Sequence, residues 1–211
     1  MKNSILTLLT IAGLFGFVKQ TGLTSNWIEI KDGQIVDSYS RIGNKIYCGE
    51  VACDVKPMQG IDIETFRIKP GSKFAKDKNH VYYPLEILCV DGINCGVCYC
   101  TKFIVENADP TTFDYLDRDY SIDNNSVFFR GELIESADVK TFRVIKGGKY
   151  FYFAVDSKFV YKHNQIFKEA DPATFYYDSL NKLNNEWTYI IGDKINKWIF
   201  SPPYKITPLK K

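Results

Sequence analysis

The sequence is poor in the residues that most enzymes and metal sites need. Only two histidines, His80 and His163, occur in 211 residues, which leaves little room for histidine-based catalysis or a multi-histidine metal site. Lysine and arginine number 27 against 25 aspartates and glutamates, and this balance argues against nucleic acid as a partner, because phosphate binding needs a clear cationic excess. No phosphate-binding loop, dinucleotide-binding glycine motif or Gly-x-Ser-x-Gly occurs. The sequence therefore predicts a protein with no catalytic residues, no metal and no cofactor.

Helical patterning is also scarce, whereas aromatic residues are abundant. After residue 25 no long apolar stripe of period 3.6 is present. Phenylalanine, tyrosine and tryptophan number 15, 14 and 3, and together they make up 15% of the chain. Aromatic and β-branched runs at 127–129 and 142–145 are bordered by turn-forming strings, Asp-Asn-Asn before the first and Gly-Gly after the second. These features predict an all-β fold of short strands and tight turns.

The N-terminus is typical of an export segment. Met1-Lys2-Asn3 precedes an apolar run from Ile5 to Val18, which is short for a membrane-spanning helix of about 20 residues. We therefore assign residues 1–22 to a signal peptide and predict an exported protein of the periplasm, the cell envelope or the extracellular space. Because no small-residue cleavage pattern follows the run, membrane anchoring through residues 5–18 is the alternative.

An internal repeat organises the rest of the chain. The pattern Asp-x-x-Thr-Phe occurs four times, and a second anchor of the form Asp-x-x-x-x-aromatic follows the first three copies. The first anchors are Asp62 with Phe66, Asp109 with Phe113, Asp138 with Phe142, and Asp171 with Phe175. The second anchors are Asp77 with Tyr82, Asp123 with Phe128, and Asp156 with Tyr161. We expect a degraded fourth copy of the second anchor at 185–191 and a partial copy at 43–48, in a unit that starts near Trp27.

Five units of about 30 residues thus account for residues 27–200, followed by a C-terminal tail at 201–211. We predict tandem β-hairpin or meander repeats that form a solenoid-like or curved-sheet array, with a small propeller as the alternative. The shared phenylalanines Phe113 and Phe142 should be buried.

The anchors resemble those of the DKNYY family of bacterial repeat proteins. The closest string is Asp77-Lys78-Asn79-His80-Val81-Tyr82-Tyr83, and Ala-Asp-Pro-Ala-Thr-Phe at 170–175 supports it. The resemblance covers roughly residues 62–191 and implies a repeat architecture. It implies no activity and no binding residues, because the family has none assigned.

Two stretches break the repeat, and they contain every cysteine. From Tyr83 to Asp109 is 26 residues, against 9 from Phe129 to Asp138, so 17 residues are inserted at 84–102. A shorter insertion of 5 residues follows Cys48. Because equivalent positions in adjacent repeats lie on one side of an array, we expect the two insertions to touch. The candidates for disulfide bonds are Cys48, Cys53, Cys89, Cys95, Cys98 and Cys100, which allow 15 pairings that sequence cannot rank.

The aromatic rows have two interpretations. Val81, Val127 and Val160 should share one strand face, and the aromatic residues that follow them should share the other. Both faces are then apolar, so either both are covered or one is an exposed aromatic ladder. We favour core, since a single hairpin is marginal by itself.

These features predict a non-enzymatic protein that binds a protein or glycan in the envelope, or has a structural role there. The insertion at 84–102 is the expected recognition element, because insertions map to loops on one face of repeat arrays. The alternative is a thiol- or metal-dependent protein centred on Cys89–Cys100, with His80 as a further candidate ligand. A purely structural spacer is the third hypothesis.

Overall fold

The computed structural model describes residues 26–49, 55–88, 97–148, 150–183, 186–202 and 205–209. The predicted export segment lies outside these residues. Among the described residues all regular structure is β-strand, and none forms a helix long and apolar enough to cross a membrane. The all-β prediction is confirmed.

The strands form small antiparallel sheets that follow one another along the chain. Unit 1 contains β1 (Ile35–Val36), β2 (Tyr39–Ile42) and β3 (Lys45–Cys48). Unit 2 contains β4 (Arg67–Ile68), β5 (Ala75–Lys76) and β6 (Val81–Tyr82), and is followed by a separate hairpin of β7 (Leu85–Leu88) and β8 (Val97–Thr101). Unit 3 contains β9 (Asp114–Asp117), β10 (Tyr120–Ile122), β11 (Val127–Phe129) and β12 (Glu132–Leu133). Unit 4 contains β13 (Arg143–Val144), β14 (Phe153–Val155), β15 (Val160–Lys162) and β16 (Gln165–Ile166). Unit 5 contains β17 (Tyr176–Leu183), β18 (Glu186–Gly192), β19 (Lys197–Ser201) and β20 (Lys205–Pro208).

In each of units 2 to 5, two aspartates are linked by the same set of hydrogen bonds. In unit 2 the backbone N–H of Asp62 donates to Oδ2 of Asp77 at 2.8 Å, and the Thr65 hydroxyl donates to the Asp62 carboxylate at 2.8 Å. The backbone N–H of Lys78 then donates to Thr65 Oγ1 at 3.0 Å. We call this arrangement the clasp. It recurs between Asp109 and Asp123, Asp138 and Asp156, and Asp171 and Asp193, with N–H to Oδ2 distances of 2.9, 2.8 and 3.0 Å.

The second aspartate of each clasp also builds the turn that follows it. Oδ1 of Asp77 accepts hydrogen bonds from the backbone N–H groups of Asn79 and His80, at 2.7 and 2.8 Å. Such a side chain replaces a backbone acceptor in a tight turn, which explains why aspartate starts the Asp-Lys-Asn string. Burial opposes the charge on Asp156 and Asp193, but backbone N–H donors outweigh it and lower the pKa of both carboxyls.

The fourth turn lies later than the sequence predicted. Asp193 starts it, and the aromatic residue five positions on is Trp198, whereas residues 186–192 form the preceding strand. The prediction at 185–191 was wrong because β17 and β18 are eight and seven residues long, which moves the turn 22 residues beyond Asp171.

The aromatic rows are core, because successive sheets bury each other. Tyr82 packs in a cluster with residues of unit 1, while its neighbour Val81 packs in a cluster with Phe113 and Phe128 of unit 3. Adjacent strand residues face opposite sides, so each inner sheet contributes to the apolar layer before it and to the layer after it. The same division separates Val127 from Phe128 in unit 3 and Val160 from Tyr161 in unit 4. Four layers therefore stabilise five stacked units, as expected for a repeat array.

The shared phenylalanines lie in these layers, with one departure. Phe66, Phe113 and Phe175 are buried, as Phe113 was predicted to be. Phe142 is only half-buried, against rings of Tyr120 and Tyr161 at centroid distances of 5.5 and 5.6 Å. The expectation of burial was thus wrong for Phe142, which packs against the edge of its cluster as a partly buried residue.

Both ends of the predicted array need correction. Ile28 exchanges two backbone hydrogen bonds with Ile68, so the segment around Trp27 extends the sheet of unit 2 and does not start unit 1. The Trp27 indole N–H donates to Asp114 of unit 3 at 3.2 Å. At the other end, residues 205–208 form β20 and pair with β19, so the domain boundary at 200 was placed too early.

Candidate functional site

The insertion at 84–102 replaces one turn with a further pair of strands. In units 3 and 4 the third and fourth strands are joined by tight turns. In unit 3 a backbone hydrogen bond from Ile134 N–H to Val127 O spans seven residues. In unit 2 the equivalent bond, from Val105 N–H to Val81 O, spans 24 residues. The difference equals the 17 inserted residues that the sequence predicted. β7 and β8 form the stem of this hairpin, with Glu86 opposite Cys100 and Ile87 opposite Tyr99.

A disulfide bond ties the hairpin to unit 1. Cys48, at the end of β3, is bonded to Cys100 of β8 across 52 residues, and both side chains are buried. In unit 1 the bond from Met58 N–H to Ile46 O spans 12 residues, so the predicted five-residue insertion also follows Cys48. The insertions were expected to meet, and this disulfide joins them. Of the other candidates, Cys53, Cys89 and Cys95 lie outside the described residues, as does the side chain of Cys98.

A polar contact reinforces the disulfide on the same side of the hairpin. Glu86 accepts hydrogen bonds from the Ser38 hydroxyl of unit 1 and the Lys73 ammonium of unit 2. Burial opposes the charged form of Glu86, but these two donors outweigh it and lower the pKa of the carboxyl. Alternation along β7 and β8 places Glu86 and Cys100 on the inner face. The hairpin is therefore held by contacts with two units.

The opposite face of the hairpin is apolar and exposed. Leu85 and Ile87 alternate with Glu86 along β7, and Tyr99 lies opposite Ile87 on β8. Their exposed fractions are 47%, 39% and 49%, and Leu88 beyond them is 64% exposed. Surfaces of single chains normally expose apolar residues singly, whereas contiguous apolar patches with polar rims mark interaction sites. We call Leu85, Ile87 and Tyr99, which share this face, the hairpin face.

The base of the hairpin face continues onto unit 3. Ile104, which follows β8, is 43% exposed and shares a shallow groove with Leu85, Lys102 and the turn at Arg130. Arg130 is paired with Asp119 at 2.8 Å, so its charge is partly compensated. Charged and polar groups thus border the apolar centre, which is the anatomy of a docking surface.

The histidines do not form a second site. His80, the further candidate ligand, is an exposed residue of the turn that Asp77 starts. His163 packs beside the rings of Phe129 and Tyr152, and burial lowers its pKa to about 4. Cys100 is taken out of the proposed thiolate set by its disulfide. Across the described part of the chain, no three histidine, cysteine or acidic side chains converge as metal ligands.

The repeat spacing located this element, but among its residues the sequence singled out only the cysteines. The hairpin face and Glu86 were missed. Their signal was the alternation Leu85-Glu86-Ile87, which is typical of a strand with one apolar side. The pattern spans too few residues to show, without the structure, which side is covered.

Comparison with known proteins agrees with the repeat. A family model described as the DKNYY family matches residues 17–86 and 94–165. No curated protein and no solved structure matches the chain. The two matched segments leave out residues 87–93, which lie inside the insertion.

Proposed function

The chain belongs to the DKNYY family, and from this premise we propose that it is an exported, non-enzymatic β-repeat protein that docks a partner protein in the cell envelope. The stacked units are the scaffold, and the hairpin face is the docking surface. The hairpin face carries the proposal, because it is apolar and exposed on an element that departs from the repeat.

The composition of the hairpin face favours a protein partner over a glycan. Two of its three side chains are aliphatic, and an apolar centre with a polar rim matches the core of a protein–protein interface. The disulfide and the Glu86 contacts hold the hairpin before binding, so little ordering entropy is lost on association.

The disulfide also supports export. Disulfides persist in oxidising compartments and are rare in the cytosol, where thiols are kept reduced. Cys48 and Cys100 are both buried, which is typical of a structural bond rather than a catalytic one. The apolar segment at 5–18 would bring the chain to that compartment, either as a cleaved signal or as an anchor.

A matched pair of triple variants tests the docking surface. The hairpin variant carries Leu85→Ser, Ile87→Ser and Tyr99→Ser. The control variant removes three apolar side chains elsewhere that are at least about as exposed, by Ile35→Ser, Ile42→Ser and Leu180→Ser. The full chain and both variants are used to capture proteins from envelope extract, and recovered proteins are quantified by mass spectrometry.

We expect one protein to be recovered by the full chain and the control variant, and at least about tenfold less by the hairpin variant, because losing about 1.4 kcal/mol of binding lowers affinity tenfold. Equal recovery by both variants would refute the docking surface. If the full chain recovers a glycan instead of a protein, and the hairpin variant does not, the docking surface would stand. The proposal that the partner is a protein would then be wrong.

A further inference from the structure

One packing contact recurs at all four layers between units. In each layer the phenylalanine of an Asp-x-x-Thr-Phe turn packs in the same apolar cluster as two residues of the preceding unit. Those two residues are joined by a backbone hydrogen bond, in which the N–H group of the later residue donates to the carbonyl oxygen of the earlier one. We call each such pair a seat. The seats and their occupants are Ile46 and Met58 with Phe66, Val81 and Val105 with Phe113, Val127 and Ile134 with Phe142, and Val160 and Phe167 with Phe175.

Unit 5 has a seat with no occupant among the described residues. The same backbone bond runs from Leu209 N–H to Lys197 O. Leu209 is 38% exposed, whereas the equivalent Val105 and Ile134 are 3% and 4% exposed beneath the next unit. Among the described residues, no sixth unit covers this seat.

A cavity of about 780 Å³ lies over the seat of unit 5. Its lining includes Lys197 and Leu209 of the seat, with Trp198, Ile195 and Pro208 around them. Ile195 is 67% exposed. Ligand pockets in proteins have volumes of about 300–1,000 Å³, so the cavity can hold an aromatic side chain together with the residues beside it.

The charged groups that line the cavity disfavour an anionic ligand, because the acidic residues Glu169 and Asp193 lie beside two lysines. The Lys197 ammonium lies 2.9 Å from the Asp178 carboxylate, and the Lys194 ammonium lies 3.4 Å from Asp171. Both cations are thus compensated within unit 5. An uncharged ring that contacts the apolar lining fits the cavity better than an anion would.

We propose that the cavity of unit 5 binds an aromatic side chain of a partner polypeptide, in the way that the other four seats bind the phenylalanine of the next unit. The site lies in unit 5, whereas the hairpin face belongs to the insertion that follows unit 2, and the proposal does not rest on the hairpin face.

Peptide titration of the full chain tests the site. The probe is the blocked hexapeptide Ala-Asp-Pro-Ala-Thr-Phe, the sequence of residues 170–175, and the control peptide carries serine in place of phenylalanine. Binding is followed by ¹⁵N NMR at the amides of Lys197 and Leu209 and at the Trp198 indole. Leu209→Trp fills the cavity, and Leu180→Trp changes an exposed leucine of the same unit that does not line it.

We expect the phenylalanine peptide to shift these signals in a saturable way, with at least tenfold weaker binding for the serine peptide and for Leu209→Trp, and no change for Leu180→Trp. Equal shifts with both peptides, or no shifts, would overturn the proposal. Because the two peptides are compared on the unmodified chain, this result does not depend on how well Leu209→Trp folds. Concentration-dependent association that Leu209→Trp abolishes, without peptide binding, would assign the cavity to a second copy instead and would also overturn it.

Discussion

Removal of the Cys48–Cys100 disulfide should destabilise the protein strongly and free the hairpin. The double substitution Cys48→Ala and Cys100→Ala removes the cross-link without leaving an unpaired thiol at either position. The bond closes a loop of 52 residues that includes the whole of unit 2 up to Cys100. A disulfide stabilises a fold mainly by restricting the conformations of the unfolded chain. Loss of the Cys48–Cys100 bond therefore increases the conformational entropy of the unfolded chain and lowers the free energy of unfolding.

The size of this effect follows from the loop length. For a loop of 52 residues, the chain-entropy relation gives about 4 kcal/mol at 25 °C. For a chain of about 200 residues this corresponds to a fall in Tm of about 8–16 °C. The control is Glu86→Gln, which weakens the polar contact with Ser38 and Lys73 but leaves the loop closed, and it should cost a small fraction of this free energy.

Chemical denaturation monitored by tryptophan fluorescence measures the free energy of unfolding of each form. Amide hydrogen exchange reports the hairpin separately. We expect protection of the β7 and β8 amides to fall more in the disulfide variant than protection in unit 4. A loss below about 1 kcal/mol, or unchanged exchange in the hairpin, would refute the reasoning that the cross-link constrains both the unfolded chain and the hairpin.

Three further changes test other parts of the structure. Phe113→Ala should lower the free energy of unfolding by about 3–5 kcal/mol in urea denaturation, because Phe113 is fully enclosed, and half-buried Phe142→Ala should cost clearly less; equal costs would contradict the layer geometry. Tyr161→Phe removes the hydroxyl that donates to Asp156 Oδ2 at 2.7 Å and should cost about 1–3 kcal/mol in the same assay, so a neutral result would argue against that bond. His163 has its pKa lowered from 6.5 to about 4, so the unfolded chain binds its proton first as the pH falls. Stability should be full above pH 6.5 and decline towards pH 4, and His163→Asn should remove this slope, while a slope that persists would contradict the assignment.

Acid should then weaken the clasps. The pKa values of Asp109, Asp138 and Asp171 are lowered first of all by hydrogen bonds from threonine hydroxyls. A carboxyl with a lowered pKa stabilises the fold above its unfolded pKa, and this contribution is lost as the pH falls through the folded value. The clasps therefore account for stability that should disappear below about pH 4, after the histidine contribution.

The repeat and its interruptions were predictable because each depends on spacing. The insertions of 17 and 5 residues were read from the distances between anchors, and the backbone bonds at Val81 and Ile46 span the lengths that those insertions require. Burial of the aromatic rows followed from the period of two in a strand, since residues on both faces were apolar.

Features that depend on contacts between distant residues were not predictable. Six cysteines allow 15 arrangements of three disulfides, three of which pair Cys48 with Cys100, and only the stacking of unit 2 on unit 1 selects this pair. Trp27 reaches Asp114 across 87 residues, which no local pattern indicates. Asp193 was missed because the hairpin of β17 and β18 is longer than its counterparts, although its Asp-Lys-x-Asn string carried the signal.

Photo-crosslinking in intact cells tests most directly whether the hairpin face docks a partner. A benzophenone amino acid replaces Ile87 on the hairpin face or, as control, Ile35 of unit 1, which is 76% exposed. The docking proposal predicts a single protein adduct from position 87 after irradiation and none of the same mass from position 35. The same adduct from both positions, or no adduct from position 87, would contradict it.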